Sequence, residues 1–303
     1  MVKNYTISYG GEQGATGANR ESLVSMRQFV QKRNLHSTSL HRNCTGGQAH
    51  SLAKAHHCGI PPVVGYQNAE IDTSVRNFIG GTFIPLSGSM TMGDIGVNSA
   101  FAPITDTLYT INGFGGVDKM YYYVDADTAA AFGGTAGWYY DTDVDNWDGE
   151  SPLTCHNSDA LSVGQMLCVS CGTDGAALVF SGQVSDEDIE LDIDTTSRNF
   201  MANCSPVDIT MGDIAVNDAF APITDTLYTI NGYGGVDKMY YYVDADTASA
   251  FGGSAGWYFD TDVDNWDGES ALTCHNSDPV AAGQGLVVSS GSEGAAIIIP
   301  SAL

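Results

Sequence analysis

The segment DTLYTINGFGGVDKMYYYVD (106–125) sets β-branched and aromatic residues, with polar positions between them, on both sides of an Asn-Gly and a Gly-Gly pair. Such residues suit a pleated, half-buried surface, and glycine supplies the positive φ of a tight turn. The segment therefore predicts two strands joined by a hairpin. TFIPL (82–86) reads as a short strand, and AGWYYDTDV (136–144) as a strand running into an acidic loop. GQMLCVSC and AALVFSG flank GTDG (172–175), a second hairpin signal. ADTAAAFGG (126–134) has alanines behind an Asp-Thr start, which predicts one helical turn stopped by glycine. Strands are not interleaved with long helices, which argues against a parallel α/β sheet.

The same pattern returns. Residues 91–159 and 210–278 agree at about 62 of 69 positions. The similarity extends outward more weakly: IDTSVRNF (71–78) echoes IDTTSRNF (193–200), and GQMLCVSCGTDGAALVFSG (164–182) echoes GQGLVVSSGSEGAAIIIPS (283–301). Each copy is domain-sized rather than a solenoid repeat. The expectation is an all-β protein of two tandem β-sandwich domains, jelly-roll or Ig-like, at 65–185 and 186–303. Recent duplication alone would also explain the near-identity. Residues 1–64 stand outside the pattern. They are rich in Ser and His and are expected to carry little packed structure beyond a short amphipathic helix at 24–35.

Charge sharpens this picture. The chain holds 36 acidic and 11 basic residues, a net charge of -25. Only Arg76, Lys119, Arg198 and Lys238 are basic beyond residue 64. Such a surface repels phosphate backbones and anionic lipids, so nucleic acid is not an expected partner. No apolar run reaches the roughly 20 residues of a membrane span. The first residues lack the charged-then-apolar pattern of a secretory signal. An odd count of seven cysteines, unevenly spaced, is not a disulfide framework.

The candidate chemistry lies first in DTDVDNWDGE, present twice. Asp141, Asp143, Asp145, Asp148 and Glu150, with Asp260, Asp262, Asp264, Asp267 and Glu269, would converge if the chain turned there. Calcium takes six to eight oxygens in flexible geometry, so Ca2+ is the candidate cofactor, although the EF-hand pattern fails for want of its glycine and terminal glutamate. Exposed turn formation is the plainer account of the same residues. Trp147 and Trp266 lie inside these loops and could stack a sugar ring beside the acids, or pack over the end of a sandwich. Cys168-Val-Ser-Cys171 lies in a predicted strand that places its thiols on opposite faces, and the second copy has Val287 and Ser290 there. Cys155-His156 and Cys274-His275 supply too few ligands for zinc in one copy. His41, Cys44, His57 and Cys58 number four, at a spacing unlike established zinc fingers. No catalytic residue is assigned: five acids in one loop without a basic neighbour lack the pocket that acid–base work needs.

VVGYQNAEI, TMGDIGVN, AGWYYDTD and VGQMLCVSCGTDGAALVFSG, in that order over 65–303, resemble a group of exported β-rich repeat proteins of verrucomicrobial-type bacteria. The resemblance implies an extracellular or cell-envelope setting and no established activity. The expected function is a non-enzymatic structural or adhesive tandem-repeat protein, with self-association or a glycan or surface partner. A carbohydrate-binding tandem module is the alternative, and a glycoside hydrolase the more distant one.

Overall fold

The computed structural model describes residues 5–8, 63–85, 88–250 and 252–303. The first half runs through β1 (Tyr5–Ser8), β2 (Val64–Glu70), β3 (Asn77–Gly80), β4 (Ile95–Val97), β5 (Thr107–Ile111) and β6 (Val117–Val124). It continues through α1 (Ala126–Ala131), β7 (Gly137–Tyr140), α2 (Asp141–Asp145), β8 (Met166–Ser170) and β9 (Ala177–Gln183). These strands build two antiparallel sheets, of order β3-β8-β5-β6-β7 and β1-β2-β9-β4. β1 pairs with β2 within a stretch expected to lack packed structure. The helix expected at 24–35 and the His/Cys run at 41–58 lie outside the described residues.

The second half repeats the plan with β10 (Ile189–Asp192), β11 (Asn199–Ala202), β12 (Ile209–Thr210), β13 (Ala215–Val216), β14 (Thr226–Ile230) and β15 (Val236–Val243). α3 (Ala245–Ala250), β16 (Gly256–Phe259), α4 (Asp260–Asp264), β17 (Pro279–Val280), β18 (Gly285–Ser289) and β19 (Ala296–Ile299) complete it. Its sheets run β11-β18-β14-β15-β16, β10-β19-β13 and β12-β17. The protein is thus all-β, in small antiparallel sheets.

Period-two alternation decides what each strand buries. Leu108, Tyr121, Trp138, Leu167 and Val169 of the five-stranded sheet share one core with Ile95, Leu178 and Phe180 of the other. Leu227, Tyr240, Trp257, Leu286 and Val288 meet Ile214, Ile297 and Ile299 in the second half. The Trp138 indole N–H donates to the Ile95 carbonyl at 2.9 Å, and Trp257 does the same to Ile214 at 3.1 Å. Each tryptophan therefore ties the two sheets together with its one polar atom satisfied, while burial of its rings contributes roughly 1.5–3 kcal/mol or more.

Three local expectations are corrected. TFIPL is no strand: Thr82 and Phe83 are buried, and only Ile84 pairs, in a single bridge to Gln183. Pro85 lacks the N–H that would extend the ladder. GTDG is no hairpin, because β8 and β9 belong to different sheets. The buried Asp106 carboxylate accepts from the amides of Ala102 (2.7 Å) and Gly172 (3.0 Å), which bends the chain over the sheet end. The acidic loop begins as a helical turn, α2, with its copy α4.

The two halves meet through the edge strands β3 and β11 and the residues beside them. Gly80 donates to the Gly283 carbonyl (2.9 Å) and Ala202 to that of Gly164 (2.8 Å). Arg76 donates its amide to the Gly232 carbonyl (2.9 Å) and Arg198 its own to that of Gly113 (2.9 Å). The second bond of each pair is the first with the halves exchanged, so the contact has a pseudo-two-fold axis.

Candidate functional site

The hairpins INGFGGV and INGYGGV form the rim of a cleft between the halves. The Asn112 side-chain oxygen accepts from the amides of Phe114 and Gly116, both at 3.0 Å, and Gly115 takes φ +84. This tight tip throws Phe114 outward to 87% exposure, and Tyr233 at the equivalent tip to 83%. Gly113 lacks a side chain because one would collide with Ser197 of the other half, and one on Gly232 with Val75. Each tip is thereby clamped to the β2–β3 or β10–β11 loop of the opposite copy.

Between the tips lies a cavity of 320 Å³, within the roughly 300–1,000 Å³ of small-ligand sites. Its walls are the outward faces of the five-stranded sheets: Phe78 and Tyr109 on one side, Phe200 and Tyr228 on the other. Cys168 lines it opposite its counterpart Val287, and burial pushes the Cys168 thiol up to about 11, with Arg76 opposing the rise. A more open recess of 450 Å³ adjoins it, sharing Phe114 and Arg198 and adding Thr195, Thr196, Ser197 and Ser289.

Arg76 and Arg198 stand in the lining of this cavity. They are two of the four basic residues beyond position 64. The other two are committed elsewhere: Lys119 pairs with Asp159 at 3.1 Å and Lys238 with Asp278 at 3.0 Å. Among the described residues neither guanidinium belongs to an ion pair. Sequence reading missed this site. Its signal was the return of a lone arginine in both IDTSVRNF and IDTTSRNF, and of an aromatic residue in both glycine-rich turns.

The carboxylates of the acidic loops face separate partners. Along α2, Asp141 and Asp145 share a face, while Asp143 points away from it. Tyr122 lies near the first two: its phenol is raised by burial first and then by Asp145 and Asp141. Asp143 instead faces His156 at 3.6 Å. Asp148 accepts from the amides of Glu150 (2.9 Å) and Ser151 (3.3 Å), which hold its carboxyl below the usual range. Asp260, Asp262, Asp264, Asp267 and Glu269 repeat the arrangement, with Asp262 at 3.7 Å from His275 and Asp267 accepting from Glu269 (2.8 Å) and Ser270 (3.1 Å). Among the described residues no three His, Cys, Asp or Glu side chains cluster as metal ligands. Trp147 packs edge-on against Phe132 at 4.8 Å and donates to the Ser151 carbonyl at 2.7 Å. Trp266 donates likewise to Ser270 at 2.7 Å and packs beside Val243 and Tyr258.

A polar cluster that the sequence did not flag sits at Asp159. One carboxylate oxygen accepts from Lys119 (3.1 Å), Tyr121 (2.9 Å) and Tyr140 (2.8 Å), and His156 lies 3.4 Å from the other. Burial alone would raise this carboxyl, but the bonds from Tyr140, Tyr121, Lys119 and His156 outweigh it and lower it to about 2. Tyr121 is pushed well above its ordinary range by burial and by Asp159. Neither group therefore exchanges a proton near neutral pH, and the cluster fixes the 155–159 loop to β6 and β7. Asp278 does the same with Lys238 and Tyr240.

The chain matches no protein-family model, no curated protein and no solved structure. Among the described residues no helix is long and apolar enough to cross a membrane.

Proposed function

We propose that this is a non-enzymatic adhesive or surface-binding protein of the extracellular space or cell envelope, and that its ligand seat is the cleft between the two copies. One observation carries the reading. The two most exposed large apolar side chains among the described residues, Phe114 and Tyr233, occupy equivalent tips on the rim of a single cavity. An exposed aromatic pair beside a formed cavity marks a contact surface. The carbohydrate-binding alternative gains from the same rings, which replace Trp147 and Trp266 as its stacking platform. The resemblance noted above and the net charge of -25 favour an exported setting.

In architecture, we read 65–185 and 186–303 as two tandem β-sandwich domains, because each pair of facing sheets shares its own core. A propeller-like arrangement of the small sheets is the alternative. Limited proteolysis in the 184–188 link separates the two: sandwiches leave two folded fragments, whereas a propeller loses both halves together.

The functional reading is tested by retention of the full chain on immobilised cell-surface polysaccharide. Phe114→Ser with Tyr233→Ser should abolish retention without changing the melting temperature, because both side chains are solvent-exposed. Unchanged retention in that variant would sink the proposal, and so would turnover of the polysaccharide by the wild-type chain.

A further inference from the structure

We propose that the cleft takes an acidic oligosaccharide of uronate type, its carboxylates on Arg76 and Arg198 and its ring faces on Phe114 and Tyr233. The inference rests on the reading of the cleft as a ligand seat, and adds the chemistry of the ligand.

Charge is the first argument. A chain of net charge -25 has few cations to place, and beyond residue 64 it sets two of four on this cavity, with no carboxylate in ion-pair contact among the described residues. A guanidinium is planar, permanently charged and shaped for two parallel bonds to one carboxylate. A neutral ligand would leave both arginines unmatched. A long polyanion would feel the acidic surface beyond the cleft, whereas a short uronate places its few charges at the two guanidiniums.

The lining supplies the rest of a sugar site. The tip residue is Phe in one copy and Tyr in the other, so the retained property is the flat aromatic ring rather than the hydroxyl. Rings suit the apolar C–H faces of pyranoses. The adjoining recess offers Thr195 and Ser289, whose hydroxyl groups can both donate and accept, beside Thr196 and Ser197, whose hydroxyls donate to Asp194 (2.7 and 3.1 Å) and present only acceptor lone pairs to a sugar. The pseudo-two-fold axis repeats the pairing of arginine with the opposite tip, which fits a ligand of repeating units.

The test is calorimetric titration of the full chain with three probes: an oligogalacturonate, a sulfated oligosaccharide and a neutral galactan oligomer. The uronate should bind. Arg76→Gln and Arg198→Gln should each weaken it at least ~10-fold, as expected for charge-assisted hydrogen bonds. Their melting curves should match wild type, since both side chains are exposed. Equal binding of the neutral probe, a preference for the sulfated one, or uronate affinity indifferent to both arginines would overturn the inference. If the neutral probe binds and Phe114→Ser with Tyr233→Ser abolishes that binding, the cleft remains the seat and only its acidic ligand is lost. If no probe binds, this inference fails, and the polysaccharide-retention assay decides separately whether the cleft is a seat at all. Self-association of the chain that the arginine changes abolish would give the cleft to an acidic loop of a second copy, and would also overturn it.

Discussion

Met166 fills the space that a side chain on Gly285 would need. The two positions are equivalent in the two copies, and they meet beside the pseudo-two-fold axis. Ala202 stands in the same relation to Gly80. At each such pair only one partner can carry a side chain, so two identical copies would either clash or leave a void. This gives a structural reason for divergence at the ends of the repeat, where the halves pack on each other.

Gly285→Ala should destabilise the protein by about 1–3 kcal/mol, because the new methyl meets Met166 and the Phe78 carbonyl. Met166→Ala, which removes a fully buried side chain, should cost less when placed on Gly285→Ala than it does in the wild type. Urea unfolding of the single and double variants checks it, and strict additivity would remove the claimed contact.

Gly232→Ala should loosen the clamp of the second hairpin on Val75, whereas Gly235→Ala should be milder, since it meets only the Asn231 side chain. Proteolytic cleavage at the 73–76 loop should be faster in the first variant. Equal rates in both would refute the clamp.

Tyr140→Phe should be tolerated at a cost of about 1 kcal/mol, the net worth of one hydrogen bond. The second copy already has Phe259 there, stacked on His275 at 3.6 Å as Tyr140 is on His156 at 3.6 Å. The Asp159 carboxyl should rise on loss of this donor, which a carbon-detected NMR titration reads directly.

The depressed Asp159 carboxyl has a defined sign. Its folded value of about 2 lies below the ordinary value of about 3.9. The stability it contributes is therefore present above pH ~4 and is lost as pH falls through about 2. Asp278, also lowered, adds in the same direction. Asp159→Asn should flatten this part of the acid-unfolding curve; an unchanged curve would remove the cluster from the account.

Trp147→Ala should destabilise by roughly 1–3 kcal/mol through lost packing on Phe132, and leave ligand retention intact. Loss of retention at unchanged stability would return the sugar platform to the acidic loop.

The sequence by itself determined the elements whose signal is local. The β5–β6 hairpin follows from Asn112, Gly115 and the flanking aromatic residues, and α1 from the Asp125 cap, whose carboxylate accepts from the Thr128 amide at 2.8 Å. The repeat was legible because it is a comparison of the chain with itself. Only the tertiary structure decided what depends on distant partners. GTDG carries turn residues in either topology, and the buried Asp106, far back in the chain, turns it into a crossing between sheets. The carboxylates of DTDVDNWDGE lie close in sequence, but the helical turn of α2 aims Asp141 and Asp143 apart. Phe114, Tyr233, Arg76 and Arg198 are scattered over more than half the chain, and only the packing of one copy on the other gathers them around one cavity.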